Sequence, residues 1–206
     1  MTLSVNVYLS LDGVMQGPGA ADEDRSGGFD RGGWLAPQLE DREVSRTIGS
    51  WVRRADSFLM GRNTYDLMQP FWEPVTDPGD DVAFALNHLP KYVVTSTGVD
   101  SPWHNTRVVS GDPLAAIAAL KEHRGDMQVH GSHRLVQALH SAGLVDEYRL
   151  LLLPVVVGTG KRLFSEVSAP VGLQLLSVET LPAGALSLRF RRAPYGTADI
   201  GRREDY

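Results

Sequence analysis

The sequence predicts an α/β fold built on a mixed, mostly parallel central sheet, and three observations predict it. Short β-prone runs alternate with helical stretches through the middle of the chain, the pattern of parallel βαβ units. Two further apolar runs flank Pro182-Ala183-Gly184 near the end, as the arms of an antiparallel hairpin would. The 206 residues, 42% hydrophobic and 22% charged, suit one domain with a sizeable core.

Val5, Val7 and Leu9 alternate with Asn6 and Tyr8, which marks a first strand. From Asp12 to Pro37 glycine, proline and charge erase any period, so a long loop is expected there, of the kind that serves as a lid. Gln38 to Arg54 reads as a helix with the apolar stripe Leu39, Val44, Ile48, Trp51 and Val52. Ser57 to Met60 is a short buried strand, and Gly61-Arg62 turns it into a helix ending near Pro70. A loop from Trp72 to Asp81 follows, then strands over Lys91 to Thr95 and Thr106 to Val109. Asp112 at the N-cap and Pro113 at the first helical position open the next helix.

Met127 to His130 is a strand that Gly131-Ser132 turns into a helix carrying Leu135, Val136 and Leu139, with Gly143 as its terminator. Glu147 to Val157 reads as a long apolar strand broken by Pro154, and Leu173 to Glu179 and Ala185 to Arg191 are the hairpin arms. No repeat or linker divides the chain. A single domain is expected over residues 1–192, with a polar tail over 193–206.

The net charge of −5 argues against a general affinity for nucleic acid or anionic membrane. With no cysteine there is no disulfide framework, thiol nucleophile or thiolate metal site. The N-terminus lacks the basic and apolar regions of a signal peptide, and no apolar run approaches the roughly 20 residues of a membrane span. A cytoplasmic protein is expected.

The segment Phe58-Leu59-Met60-Gly61-Arg62-Asn63-Thr64-Tyr65 carries the chemistry. A strand that ends in glycine and arginine just before a helix gathers unpaired N–H groups, a hydroxyl and a guanidinium at one helix start, which attracts phosphate. Met60 to Tyr65 resembles the Met-Gly-Arg-x-Thr-aromatic cofactor motif of dihydrofolate reductases. It is closer still to the dihydrofolate-reductase-like proteins related to the C-terminal reductase domain of the riboflavin-biosynthesis protein RibD. Ser10-Leu11-Asp12-Gly13, Val129-His130-Gly131-Ser132 and Leu152-Leu153-Pro154-Val155-Val156-Val157-Gly158-Thr159-Gly160 resemble that group's other landmarks, in the expected order.

The resemblance implies NADPH as cofactor and hydride transfer to a small cyclic substrate. It places the cofactor phosphates at Gly61, Arg62 and Thr64, and at the second turn of Gly131 and Ser132 with His133 beside it. The hydroxyls of Thr95, Ser96 and Thr97 fall at the adenosine ribose, although no arginine or lysine follows that strand. Gly158 falls near the nicotinamide. Asp12, at the mouth of the reaction site, is the candidate proton donor, against the plain alternative of an Asp-Gly turn. His130 and His133 lack a third ligand, so no metal is expected. Gly158-Thr159-Gly160-Lys161-Arg162 fails the P-loop spacing, which disfavours a nucleotide hydrolase.

Orthodox dihydrofolate reductases carry a carboxylate on the helix before the Gly-Arg motif, and here the matching position is roughly Ser45. Dihydrofolate itself is therefore doubtful as substrate. The rival readings are the ribosylaminopyrimidine reductase of riboflavin synthesis and a non-catalytic NADPH-binding module. The resemblance also makes a homodimer plausible through the terminal hairpin.

Overall fold

The computed structural model describes residues 1–164 and 168–197. Six parallel strands form the body of one sheet: β1 (Thr2–Ser10), β2 (Ser57–Gly61), β3 (Lys91–Val94), β4 (Thr106–Val109), β5 (Asp126–Val129) and β6 (Glu147–Leu153). The hairpin of β7 (Gly172–Thr180) and β8 (Leu186–Ala193) extends it antiparallel, in the order β4-β3-β2-β5-β1-β6-β8-β7. The helices are α1 (Arg42–Val52), α2 (Arg62–Trp72), α3 (Asp81–His88), α4 (Pro113–Lys121) and α5 (His133–Ser141). The mixed, mostly parallel sheet is the one the sequence predicts.

The alternation in β1 decides which face it shows to which layer. Leu3, Val5, Val7 and Leu9 pack with Ile117 of α4 and Leu135, Val136 and Leu139 of α5. On the opposite face Val44, Ile48 and Trp51 of α1 pack with Leu151 and Leu153 of β6, with Tyr8 against them. A third cluster joins α1, α2 and α3 to β2 and β3 through Val52, Tyr65, Leu86, Phe58, Met60 and Val93. Burial of these side chains, at about 25 cal/mol per Å2 of apolar surface, is the main favourable term holding the layers together.

Several boundaries differ from expectation. The helix expected from Gln38 is a short 3-10 turn over Ala36–Glu40 followed by α1, because Asp41 accepts a hydrogen bond from the Glu43 N–H at 2.8 Å and starts the α-helix there. α2 runs through Pro70 to Trp72, since a proline this near the end forfeits only one hydrogen bond. α3 begins where the expected loop from Trp72 ends, in a stretch for which no element was expected, and it is opened by Asp80, whose carboxylate caps the N–H groups of Val82 and Ala83. β6 stops at Leu153, and Pro154 supplies no donor to continue it. The expected tail from residue 193 overlaps the end of β8, and residues 198–206 lie outside the described residues. No helix among the described residues is long and apolar enough to cross a membrane.

Candidate active site

Parallel strands send all their carboxyl ends to one edge of the sheet, and helices that follow such strands begin there. A cleft of about 2120 Å3 opens along this edge, above the roughly 300–1,000 Å3 of an ordinary small-molecule site and large enough for a cofactor and a substrate together. Gly61, Arg62 and Thr64 line it at the start of α2, and Gly131, Ser132 and His133 line it at the start of α5.

The two turns touch. A Cβ on Gly61 would sit 1.9 Å from Ser132 Oγ, and one on Gly131 would sit 2.7 Å from Thr64 Oγ1. Gly131 also has φ +145, a region that side chains strain to adopt. The glycines are therefore fixed by close approach, with both helix starts converging on one space.

Capping separates these helices from the others. α1, α3 and α4 each begin under an aspartate, Asp41, Asp80 and Asp112, whose carboxylate accepts from the first-turn N–H groups. α2 and α5 have no side-chain cap and no acid in the first turn, although Ser132 could have capped α5. Their first-turn donors thus point into the cleft without a protein side chain upon them.

Arg62 Nε donates to both carboxylate oxygens of Asp66 at 2.7 Å, and its Nη1 donates to Gly98 O and to Thr97 Oγ1, the latter at 3.4 Å. Nη2 makes no hydrogen bond within the described residues. Arg62 thus brings the cation that β3 lacks in sequence to the end of that strand. Thr95, Ser96 and Thr97 do not line the cleft themselves; they form a turn in which Thr95 Oγ1 accepts from the Thr97 N–H at 3.1 Å. Lining groups that the sequence did not single out include Asn63 and Arg134, and Lys161 lines the cleft from the glycine-rich turn. Arg134 directly follows the second turn, a signal that was available. Burial and the Lys161 ammonium hold the His133 imidazole below its ordinary pKa, while a hydrogen bond with the Arg162 backbone opposes them.

Lys161 belongs to the glycine-rich turn, and the loop after β1 docks on it. Its Nζ contacts Asp24 Oδ2 and Ser26 Oγ, both at 2.6 Å, and its N–H donates to Gln16 Oε1 at 3.0 Å. Gln16 Nε2 in turn donates to the carbonyls of Asp24 and Ser26. The expected lid is thus an ordered wall of the cleft.

Two expectations need correction. Asp12 does not line the cleft: its carboxylate accepts from the N–H groups of Val157 at 3.0 Å and Gly158 at 2.8 Å, and from Ser10 Oγ at 2.7 Å. Partial burial raises its pKa, but these hydrogen bonds outweigh that and lower it to about 2. A carboxyl so ionised is a clamp at neutral pH and not a proton donor. Gly158 is the other end of that clamp, and its neighbours Thr159, Gly160 and Lys161 reach the cleft instead. Ser45 lines the cleft from α1, so the position of the absent carboxylate faces the site and carries a hydroxyl, donating to Leu39 O at 3.2 Å.

Comparison with known proteins bears on the fold and the family. Over 186 residues the chain is 28% identical to the uncharacterized protein YyaP of Bacillus subtilis, covering 89% of this chain and 91% of that one. The crystal structure of a putative riboflavin biosynthesis protein from Shewanella sp. PV-4 superposes with a TM-score of 0.71 at 22% identity, covering 94% of this chain and 99% of that one. A diaminohydroxyphosphoribosylaminopyrimidine deaminase/5-amino-6-(5-phosphoribosylamino)uracil reductase from Thermotoga maritima superposes at 0.62 with 14% identity, covering 93% of this chain and 56% of that one. These likenesses establish a shared dihydrofolate-reductase-like fold. The model of the RibD C-terminal domain matches residues 1–187, and the chain belongs to that family.

Proposed function

We propose that the protein is an NADPH-dependent reductase that transfers hydride to a small cyclic substrate of pterin or pyrimidine type. The observation that carries this reading is the pair of uncapped helix starts meeting at Gly61 and Gly131, in a molecule whose other helices are capped by aspartate. Free N–H groups and the positive ends of two helix dipoles suit a pyrophosphate, and Arg62 beside Thr97 suits a ribose phosphate. NADPH, when bound, supplies the hydride. The chain's own task is to orient the two rings and to exclude water with the wall formed by the Gln16–Ser26 segment.

Titration with NADPH tests this reading. Trp72 lines the cleft, so binding should quench tryptophan fluorescence and raise the melting temperature. No response at millimolar NADPH would sink the proposal. NADPH binding without oxidation across dihydropterins, oxidised pterins and aminopyrimidinones would leave a binding module. The proposal extends to a homodimer through the hairpin, where Leu175 and Val178 are 49% and 55% exposed beside half-buried Leu188 and Phe190. Light scattering should give twice the chain mass, and Leu175→Lys with Val178→Lys should halve it.

A further inference from the structure

The proposed reading leaves to the substrate the part of the cleft between α1 and the sheet, which the helix lines with Ser45, Ile48 and Gly49 and no carboxylate. Two polar side chains reach it from the sheet, Tyr8 on β1 and His130 at the end of β5. The strands are parallel with Val5 opposite Val129, so continuing the register sets Asn6 opposite His130, with Tyr8 one pair further on the same face. With strands roughly 4.8 Å apart and about 3.3 Å of rise per residue, such diagonal neighbours stand about 8 Å apart, close enough for both side chains to meet one flat ring.

Their hydrogen-bonding states differ. Gln128 Nε2 donates to Trp51 O at 2.6 Å and to Asp126 Oδ2 at 3.2 Å, and neither group can donate in return. Gln128 Oε1 must therefore be the atom facing His130 Nε2 at 3.1 Å, and Nε2 must carry the proton. His130 Nδ1 is left as a lone-pair acceptor with no partner within the described residues. Burial, with the Arg149 charge behind it, lowers the His130 pKa to about 4, so the ring is neutral. The Tyr8 hydroxyl likewise makes no hydrogen bond within the described residues. Burial first, and the Glu23 carboxylate second, push its pKa upward, so it stays protonated. Glu23 itself is engaged by the N–H groups of Gly19 and Ala20.

We infer that Tyr8 and His130 are substrate-binding residues that read the lactam edge of a neutral heterocycle, Tyr8 O–H donating to the ring carbonyl and His130 Nδ1 accepting the adjacent ring N–H. Phe58 meets the His130 ring edge-on, with centroids 5.6 Å apart, and Ile48 closes the slot from the helix side. This inference deepens the reductase reading and rests on it only for the identity of the group beside the substrate.

The test uses lumazine and 1,3-dimethyllumazine, which has the same ring system without N–H groups, titrated into the full chain with and without saturating NADP+. Lumazine should bind at least tenfold more tightly than its dimethyl analogue. His130→Leu should weaken lumazine at least tenfold and leave the dimethyl analogue within twofold. Tyr8→Phe should weaken lumazine at least tenfold and the dimethyl analogue as well, because both ligands keep the ring carbonyl. Neither variant should change NADP+ affinity. Tyr8→Phe keeps the packed ring and decides the matter even where His130→Leu fails to fold. Equal affinity for the two ligands, absence of lumazine binding, or unchanged lumazine affinity in Tyr8→Phe overturns the inference. Lumazine discrimination in a chain that does not bind NADP+ upholds it and overturns the cofactor reading instead.

Discussion

Arg62 holds three groups at once: the Asp66 carboxylate, the Thr97 hydroxyl and the Gly98 carbonyl. Its side chain is 30% exposed, so the ion pair with Asp66 contributes little to stability, roughly 0–1 kcal/mol. A charge-assisted hydrogen bond to a phosphate is worth about 1.5–3 kcal/mol. Arg62→Ala should therefore weaken NADPH binding about 10- to 100-fold and leave the melting curve nearly unchanged. Equal NADPH affinity in the variant would remove Arg62 from the phosphate site. Asp12 should behave in the opposite way. Asp12→Asn replaces an acceptor of two backbone N–H groups and should cost about 1–3 kcal/mol at pH 7 while changing NADPH affinity less than threefold. Its folded pKa lies below the unfolded value, so the carboxylate's contribution is present above about pH 4 and disappears as pH falls toward 2. The stability gap between wild type and Asp12→Asn, read by urea unfolding, should narrow from pH 7 to pH 3.

At the scale of elements, the loop after β1 and the turn at residues 158–162 behave as one piece. Lys161 joins them through Asp24 and Ser26, and Gln16 closes three further hydrogen bonds between or within them. Lys161→Ala should cost about 1 kcal/mol of global stability. It should also speed amide exchange several-fold across residues 16–28, because that segment then opens locally. Unchanged exchange there would show that Gln16 alone holds the wall. The sequence made the strands and the Asp112 cap legible because period and capping are local properties. It made the Gly61-Arg62 and Gly131-Ser132 turns legible for the same reason. It left α3 unassigned, although Asp80 before Val82-Ala83-Phe84 was a usable cap signal, because an 8-residue helix carries little more than two turns of period. It could not show that Asp12 is taken up by a clamp outside the cleft lining, since that depends on where Val157 and Gly158 lie, 145 and 146 residues later. Arg62 serving the end of β3 is likewise a product of strand order, with β2 and β3 adjacent in the sheet.

Across the whole molecule the sheet is divided into a cleft end and a charged base. Asp126 and Glu147 begin β5 and β6 at the base, and Arg149 pairs with both at 2.6 Å, its side chain only 5% exposed. Arg189 of β8 adds a second cation to Glu147 at 3.1 Å, tying the hairpin to the parallel strands. The base is connected to the cleft by a chain of hydrogen bonds from Arg149 through Asp126 and Gln128 to His130. Arg149 is the cation that both buried carboxylates share, so removing its charge should cost about 3–5 kcal/mol in urea unfolding of Arg149→Gln. The same variant should act at a distance. The Arg149 charge helps to hold His130 near pKa 4, and its loss should move the His130 titration upward in an NMR pH series. In wild type, the depressed His130 pKa means that the unfolded chain binds the proton first, so this group's contribution to stability falls as pH drops from about 6.5 through 4. In Arg149→Gln that fall should begin from a lower stability but be shallower. A His130 titration that stays at its wild-type position in Arg149→Gln would show that the base and the cleft are electrostatically independent.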